Sequence, residues 1–183
     1  MVGMQKKIDF TEDCKMGRAL ASWSGMRKYL EQEMLAEELH GRIRYGCTKY
    51  KGEDGYCVFE LYIDGNQVKR FSWETMNTYF IENGYKQNSN PFGQMEYWDE
   101  FMRLRNEVPM QNRTEYGDDE FSDALRIYRN QTIQESIRSE NPIVRMFAVL
   151  DRRIGKRTLK SCMENLEAQP EWLQSIYRLR FKA

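Results

Sequence analysis

Hydrophobic and polar residues alternate most clearly between Arg42 and Trp73. A period of two sends successive side chains to opposite faces of a strand. In the central run, one face then consists of Cys57, Phe59, Leu61 and Ile63. Runs on either side, 43–47 and 68–71, continue the pattern more weakly, and the polar, glycine-containing segments 51–55 and 64–67 are typical of hairpin loops. The stretch therefore predicts a three-stranded antiparallel meander.

Segments with the apolar spacing of a helix lie before and after this meander. Before it, apolar residues recur at steps of three and four from Trp23 to Leu35. Either Ser22 or Ser24 can cap the start of this helix, and Gly41 is suited to its end. After it, Ser72 precedes a second helix that ends at 83–84. The order over 22–84 is helix, strand, strand, strand, helix. We expect the two helices to cover the apolar face of the sheet, because so small a sheet needs such a cover.

The remainder of the chain shows helical periodicity only. A loop ending at Asn90-Pro91 is the expected hinge, and helices are predicted over 94–107, 121–138, 142 onward, 158–166 and 170–181. The fold class is therefore α+β, with an all-helical C-terminal part after the meander. We divide the chain into a poorly ordered leader (1–21), an α+β lobe (22–84) and a helical part packed on it (85–183).

Composition narrows the classes of protein to which the chain can belong. Of its 183 residues, 40% are hydrophobic and 31% charged, and the formal net charge is zero, which argues against a surface built throughout for nucleic acid or anionic membrane. The stretch from Ala124 onward holds 12 Lys or Arg against 6 Asp or Glu, and so has six surplus positive charges. Either the two parts of the chain attract each other or the basic part binds an acidic partner.

The cysteines and the histidine are few. Cys14, Cys47, Cys57 and Cys162 form no CxxC pair, and His40 is the only histidine, which excludes a His-rich zinc or iron site. No apolar run approaches the roughly 20 residues of a membrane span. We therefore expect a cytoplasmic protein with reduced thiols, no metal, no cofactor and no membrane partner. Cys47 and Cys57 lie on adjacent predicted strands, where buried free thiols are expected rather than a disulfide.

A dense basic cluster is the main candidate site. Its members are Arg145, Arg152, Arg153, Lys156, Arg157 and Lys160. Gly155 is expected to interrupt or close the helix that begins at 142. If the backbone nevertheless stays helical, the six residues fall on or near one side, and such a surface attracts phosphate or an acidic protein. The alternative is a solvated face whose arginines pair with Asp151, Glu164 or acids of the first half. We assign no catalytic residue, because His40 is the only imidazole and its position before Gly41 favours a role at a helix end.

Two resemblances add to this interpretation. The segments WSGMRKYLEQEMLAEELHGRIRYGCTKY, SENPIVRMFAVLDRRIGKRTL and PEWLQSIYRLRF resemble a family of small uncharacterised bacterial proteins of Firmicutes and enterobacteria, with LDRRIGKRTL the most specific part. That resemblance implies a bacterial cytosolic origin and no activity, cofactor or catalytic residue. The element order over 22–84 also resembles a double-stranded-RNA-binding domain, but Ser72-Trp73-Glu74-Thr75 stands where that domain carries lysines.

The leading hypothesis for function is a non-enzymatic interaction module whose basic helical surface contacts an acidic partner. One alternative is the binding of nucleic acid, RNA in particular, by the same surface. The other is an enzyme whose site is assembled from arginines and carboxylates between the two parts. A pocket lined by 152–157 beside a carboxylate with a strongly shifted pKa favours the enzyme.

Overall fold

The computed structural model describes residues 22–50, 56–86 and 95–183. The strands of the sheet are β1 (Ile43–Lys49), β2 (Cys57–Ile63) and β3 (Asn66–Phe71). The α-helices of the described residues are α1 (Trp23–Lys28), α2 (Trp73–Glu82), α3 (Met95–Glu107), α4 (Asp118–Asn130), α5 (Ile133–Ile137), α6 (Pro142–Leu150), α7 (Lys156–Met163) and α8 (Glu171–Lys182). The predicted leader, the first hairpin loop and the expected hinge at Asn90-Pro91 lie outside the described residues.

The sheet confirms the predicted meander. Its order is β1-β2-β3 with both pairings antiparallel, and the registers set Ile43 opposite Ile63 and Phe59 opposite Phe71. The second hairpin turns through Asp64 and Gly65, both at positive φ (50° and 83°), a conformation that glycine adopts without strain. A register irregularity between Leu61 and Tyr62 accompanies this turn. The fold class, a meander flanked by helices and followed by a helical C-terminal part, is confirmed.

The main core lies on the inner face of the sheet, as the alternation of residues predicted. Phe59, Leu61 and Phe71 are fully buried there. The ring of Phe121, from α4, stacks on Phe59 with 4.5 Å between centroids and meets Phe147 of α6 at 5.5 Å. Residues from both predicted parts of the chain thus share one core. The division at 84–85 stays a prediction.

One expectation about the cover of the sheet is wrong. Helix α1 does contribute to the main core, but α2 turns its buried residues toward α3, away from the sheet. These two helices form a second cluster with the buried residues Met76, Phe80, Phe101, Leu104 and Val108. The cover that α2 was expected to give comes from α4 and α6, whose larger apolar faces fit the aromatic surface of the strands.

The first predicted helix is shorter than its apolar spacing suggests. Helix α1 passes into a π-helical turn at Tyr29–Glu33, and a 3₁₀ turn follows at Glu37–Leu39. Between the two turns the backbone leaves the helix, because the amide of Ala36 donates to the carbonyl of Leu150 at 3.0 Å. A tertiary partner that is distant in the sequence therefore competes for these backbone groups and ends the helix.

The helix predicted over 121–138 is also divided. Helix α4 ends at Asn130, and α5 begins after Thr132, whose hydroxyl accepts from the amide of Glu135 at 3.2 Å. The Glu135 carboxylate accepts in return from the amide of Thr132 at 2.7 Å, which completes a capping box. The start of α6 is as predicted, with the Asn141 side chain accepting from the amides of Ile143 and Val144 and Pro142 in the first helical position.

Candidate functional site

The loop between α6 and α7 carries much of the basic cluster, and the backbone fixes its course. The amide of Arg152 donates to the carbonyl of Met34 at 2.8 Å, and Leu35 and Asp151 form an isolated antiparallel bridge. Helix α6 ends at Leu150, so residues 151–155 run as an irregular segment beside the stretch that follows α1. The backbone is not helical throughout this region, so the condition under which the six basic residues would share one helical side is not met.

Asp151 is the internal anchor of this loop. Its side chain is 1% exposed, and its carboxylate accepts from the Arg153 amide at 2.7 Å and from the Arg153 guanidinium at 2.6 Å (Nη2) and 2.9 Å (Nε). The Tyr128 hydroxyl donates to the same carboxylate. The hydrogen bonds to Asp151 raise the pKa of Arg153, and burial raises the pKa of Tyr128. This buried charge is therefore fully partnered, and it fixes both the loop and the Arg153 side chain.

Helix α7 begins directly after the loop. Gly155 occupies its N-cap in an extended conformation and supplies no side chain to cap the first turn. Amides in the first turn of a helix have no partner within the helix and attract negative charge. Lys156, Arg157 and Lys160 are exposed on this helix, whereas Leu159 is buried and anchors it. The N-terminal end of α7 is consequently strongly electropositive.

An open groove of about 530 Å³ adjoins the loop and the start of α7. We call it the basic groove. Its lining residues are Ala36, Glu37, Glu38, Arg152, Arg153, Ile154, Gly155, Lys156 and Arg180. Four cationic side chains and two carboxylates face one another in it, so the charge of the lining is positive overall.

Arg180 forms the rigid wall of the basic groove. It is 7% exposed, its guanidinium donates to the Ile154 carbonyl at 3.1 Å, and it pairs with the Glu38 carboxylate. Its Nε is buried without a hydrogen-bond partner among the described residues. The pKa of Glu38 is lowered by a backbone hydrogen bond at the start of the 3₁₀ turn, and Arg180 and Lys156 lower it further. Glu38 is thus held as a carboxylate, which suits charge pairing rather than proton transfer near neutral pH.

The six predicted residues fall into two groups. Arg145 and Arg153 are bonded internally: the Arg145 guanidinium donates to the Ser139 carbonyl at 2.6 Å and to Gln169 Oε1 at 3.0 Å. Arg152, Lys156, Arg157 and Lys160 are exposed, and they make no side-chain hydrogen bond or ion pair with the described residues. The alternative of internal pairing thus applies to Arg153 with Asp151, while four cations of the cluster remain available to a partner.

Two elements of the site escaped the sequence reasoning. Arg180 follows Leu173, Ile176 and Tyr177 at helical spacing, so the pattern places it on the buried stripe of α8, and an arginine there signals a buried ion pair. Asp151 was named as a pairing partner of the arginines, but its contact with Tyr128 gave no signal, because the two residues are 23 positions apart in the sequence.

The remaining chemistry-bearing groups lie elsewhere or serve the fold. The ring Nε2 of His40 bonds the Leu35 carbonyl at 3.2 Å, just after the 3₁₀ turn. In 22–50, 56–86 and 95–183, no group of three or more His, Cys, Asp and Glu residues is placed to hold a metal ion. Over the same residues, no helix is both long and apolar enough to cross a membrane.

Comparison with known proteins gives one match. No curated protein matches the chain, and no solved structure does. The model of the SF0329 protein family matches residues 22–181, which include the sheet, every described helix except the last residue of α8, and the basic groove. The chain therefore belongs to the SF0329 protein family.

Proposed function

We propose that the chain is a non-enzymatic interaction module that binds an acidic protein partner through the basic groove and the exposed face of α7. The observation that carries this proposal is the group of four exposed cations, Arg152, Lys156, Arg157 and Lys160, without a bonded partner among the described residues. We place the module in the bacterial cytoplasm, on the resemblance of its segments to small bacterial proteins.

The geometry of the groove suits recognition of carboxylates. Arg153 and Arg180 are held in fixed positions by Asp151, Glu38 and the Ile154 carbonyl, so they lose little side-chain freedom when a partner binds. Arg152 and Lys156 add mobile cations at the rim. Together with the uncapped first turn of α7, they form a surface on which an acidic segment replaces water without leaving a buried charge unpaired.

Binding of RNA is the second candidate, and one specific observation favours it. Arginine guanidinium groups lie beside the first turn of α7, which has no side-chain cap. Such an arrangement binds phosphate groups as well as carboxylates. The mode of a double-stranded-RNA-binding domain is not proposed, because Glu74 in the first turn of α2 pairs with Arg70 at 3.0 Å and α2 packs against α3.

The enzyme hypothesis receives less support. A groove lined by 152–156 exists, but the shifted carboxylate in it, Glu38, has a lowered pKa and no proton to transfer near neutral pH. His40, the one imidazole of the chain, is bonded to a backbone carbonyl.

The test measures binding of a fluorescent oligo-glutamate peptide by anisotropy at low salt. We expect the triple variant Arg152→Ala, Lys156→Ala, Arg157→Ala to bind about tenfold more weakly, since three exposed ion pairs at about 0.5 kcal/mol each amount to that factor. The matched control, Arg103→Ala, Arg126→Ala, Arg178→Ala, removes the same charge from exposed sites outside the groove and should keep affinity within about twofold. Equal losses in the two variants contradict the proposal.

A parallel titration with single-stranded and duplex RNA separates the two candidates. If the chain binds RNA more tightly than the peptide, and if that affinity falls steeply as the salt concentration rises, the result supports RNA binding and contradicts the acidic protein partner. A lowered melting temperature of the triple variant, with unchanged affinity, identifies these side chains as structural and contradicts both candidates.

A further inference from the structure

Two cysteines lie near the ends of β1 and β2 that the first hairpin connection joins, and neither lines the basic groove. The register sets Cys47 opposite Phe59 and Lys49 opposite Cys57, so the two cysteines are diagonal neighbours on the inner face of β1 and β2. Both are half-buried free thiols that border the main core. This placement, and the opposite directions in which the pKa values of the two thiols shift, lead us to expect a hydrogen bond between them. The sheet thus holds a dithiol that water can reach.

The surroundings distinguish the two sulfurs. The hydrogen bond from Cys47 lowers the pKa of Cys57 to about 7, Lys49 lowers it further, and burial and the Asp118 carboxylate act against both. The same interaction raises the pKa of Cys47. Asp118 also fixes the backbone of the site, because its Oδ2 accepts from the Cys57 amide at 3.2 Å, and burial raises the pKa of Asp118 to about 6. A thiol with a lowered pKa is more often present as the reactive thiolate, so we expect Cys57 to act as the nucleophile and Cys47 as its hydrogen-bond donor.

We propose that Cys47 and Cys57 form a reactive dithiol that a hydroperoxide oxidises to an intrachain disulfide. This modification site is independent of the basic groove and of the partner proposed for it. It rests on the cross-strand placement of the two cysteines and on their partial exposure, and the lowered pKa of Cys57 supports it.

The chemistry proceeds in two steps. The Cys57 thiolate attacks the terminal oxygen of the hydroperoxide, an S–O bond forms, the O–O bond breaks, and the departing alkoxide takes a proton from water to leave as an alcohol. The Cys47 sulfur then attacks the sulfur of the Cys57 sulfenic acid, an S–S bond forms, and the departing hydroxide takes the Cys47 proton to leave as water. Overall, the dithiol loses two electrons and the hydroperoxide gains them.

The strands permit the second step. Diagonal neighbours in an antiparallel pair have Cα atoms roughly 7–8 Å apart, whereas a disulfide spans about 4.4–6.8 Å. The paired strands already lie about 4.7–4.9 Å apart, so closure requires the end of β1 to slide along β2 by about an ångström or two. In the described sheet β1 is an edge strand, so no strand on its other side opposes this movement.

The first experiment follows thiol alkylation by iodoacetamide on the reduced full chain by peptide mass spectrometry. The lowered pKa of Cys57 leaves more of it as thiolate at pH 7 than the few per cent of an ordinary cysteine, and lower intrinsic nucleophilicity offsets part of this difference. We expect Cys57 to react roughly fivefold faster than the matched control Cys162, which is also half-buried and whose pKa burial raises. Equal or slower reaction of Cys57 contradicts the proposal.

The second experiment treats the chain with one equivalent of hydrogen peroxide and looks for a peptide linked through Cys47 and Cys57. The linked peptide is expected in the wild type, and its absence while Cys162 stays reduced contradicts the proposal. In Cys47→Ser, which keeps a hydroxyl donor, we expect a sulfenic acid at Cys57 that a dione probe traps. In Cys47→Ala, which removes the donor, the alkylation of Cys57 should be several-fold slower than in Cys47→Ser. Equal rates in these two variants contradict the role of Cys47 as donor.

Discussion

Asp151 and Arg180 show how single buried charges shape the basic groove. Each side chain is almost entirely buried, and each has an ion-pair partner: Asp151 accepts from Arg153 and also from the neutral Tyr128 hydroxyl, and Arg180 donates to Glu38. Burying an unpaired charge at this depth lowers the free energy of unfolding by several kcal/mol, so the folded state needs these ion pairs and hydrogen bonds. The groove owes its fixed walls to them.

Replacement of Asp151 tests this role. In Asp151→Ala the Tyr128 hydroxyl and the Arg153 amide lose their acceptor, and we expect the free energy of unfolding to fall by about 3 kcal/mol. The milder change Tyr128→Phe removes one donor and leaves the carboxylate paired with Arg153, so about 1 kcal/mol is expected. Urea denaturation monitored by circular dichroism measures both. A loss in Asp151→Ala no larger than that in Tyr128→Phe contradicts the anchoring role.

At the scale of elements, some helix boundaries follow from local chemistry and others depend on distant residues. Ser72 and Asn141 cap α2 and α6 where the sequence places them, and Gly84 ends α2 at a φ of 73°. The end of the first helix depends instead on the carbonyl of Leu150, far along the chain. Nothing in the apolar spacing of Trp23–Lys28 and the residues after it contains that information.

The cap of α6 gives a prediction at this scale. Replacement of Asn141 by Ala removes the acceptor of two amides at the head of a helix whose buried residues include Ile143, Val144 and Phe147. We expect Asn141→Ala to lower the free energy of unfolding by about 1 kcal/mol, and Asn141→Ser, which keeps an oxygen acceptor, by much less. Thermal and urea unfolding of the two variants measures the difference. Similar losses in both variants contradict a capping contribution.

At the scale of the whole molecule, the buried apolar residues form two separate clusters, each of which stabilises a different set of elements. The main core joins the sheet to α1, α4, α6 and α8, and the second joins α2 to α3. The ion pair of Arg180 with Glu38 links the basic end of the chain to the acidic first half. The surplus of positive charge after Ala124 is thereby used in part internally, and the exposed remainder surrounds the basic groove.

Because the clusters are separate, we expect a cavity in one of them to destabilise only the elements that this cluster joins. Phe121→Ala should cost about 3–5 kcal/mol and speed amide hydrogen exchange in β2, α4 and α6, because its ring contacts Phe59, Phe71 and Phe147. Phe80→Ala empties the second cluster, and faster exchange is expected in α2 and α3 alone. Exchange mass spectrometry on both variants is the measurement. Faster exchange of β2 in Phe80→Ala, at the level seen in Phe121→Ala, contradicts the division.

The candidate site shows where prediction from the sequence stopped. Arg152, Lys156, Arg157 and Lys160 were identified from charge density alone, and they are exposed. Arg153 belongs to the same run of residues, yet it serves Asp151. Charge density does not distinguish a free cation from a bonded one, because that depends on which acid the fold brings within about 3 Å. Arg180 could have been identified as buried only by extending the helical spacing of the buried residues of α8 to include an arginine.

By itself the sequence determined the elements: the period of two in β2, the turn at Asp64 and Gly65, and the caps at Ser72 and Asn141 are local properties of the chain. The tertiary structure alone decided which helices cover the sheet, where the first helix breaks and which cations remain unpaired. The physical reason is the sequence separation of the residues that interact. Alternation, spacing and caps involve neighbours within about four residues, whereas burial and ion pairing depend on surfaces that meet only when the chain is packed.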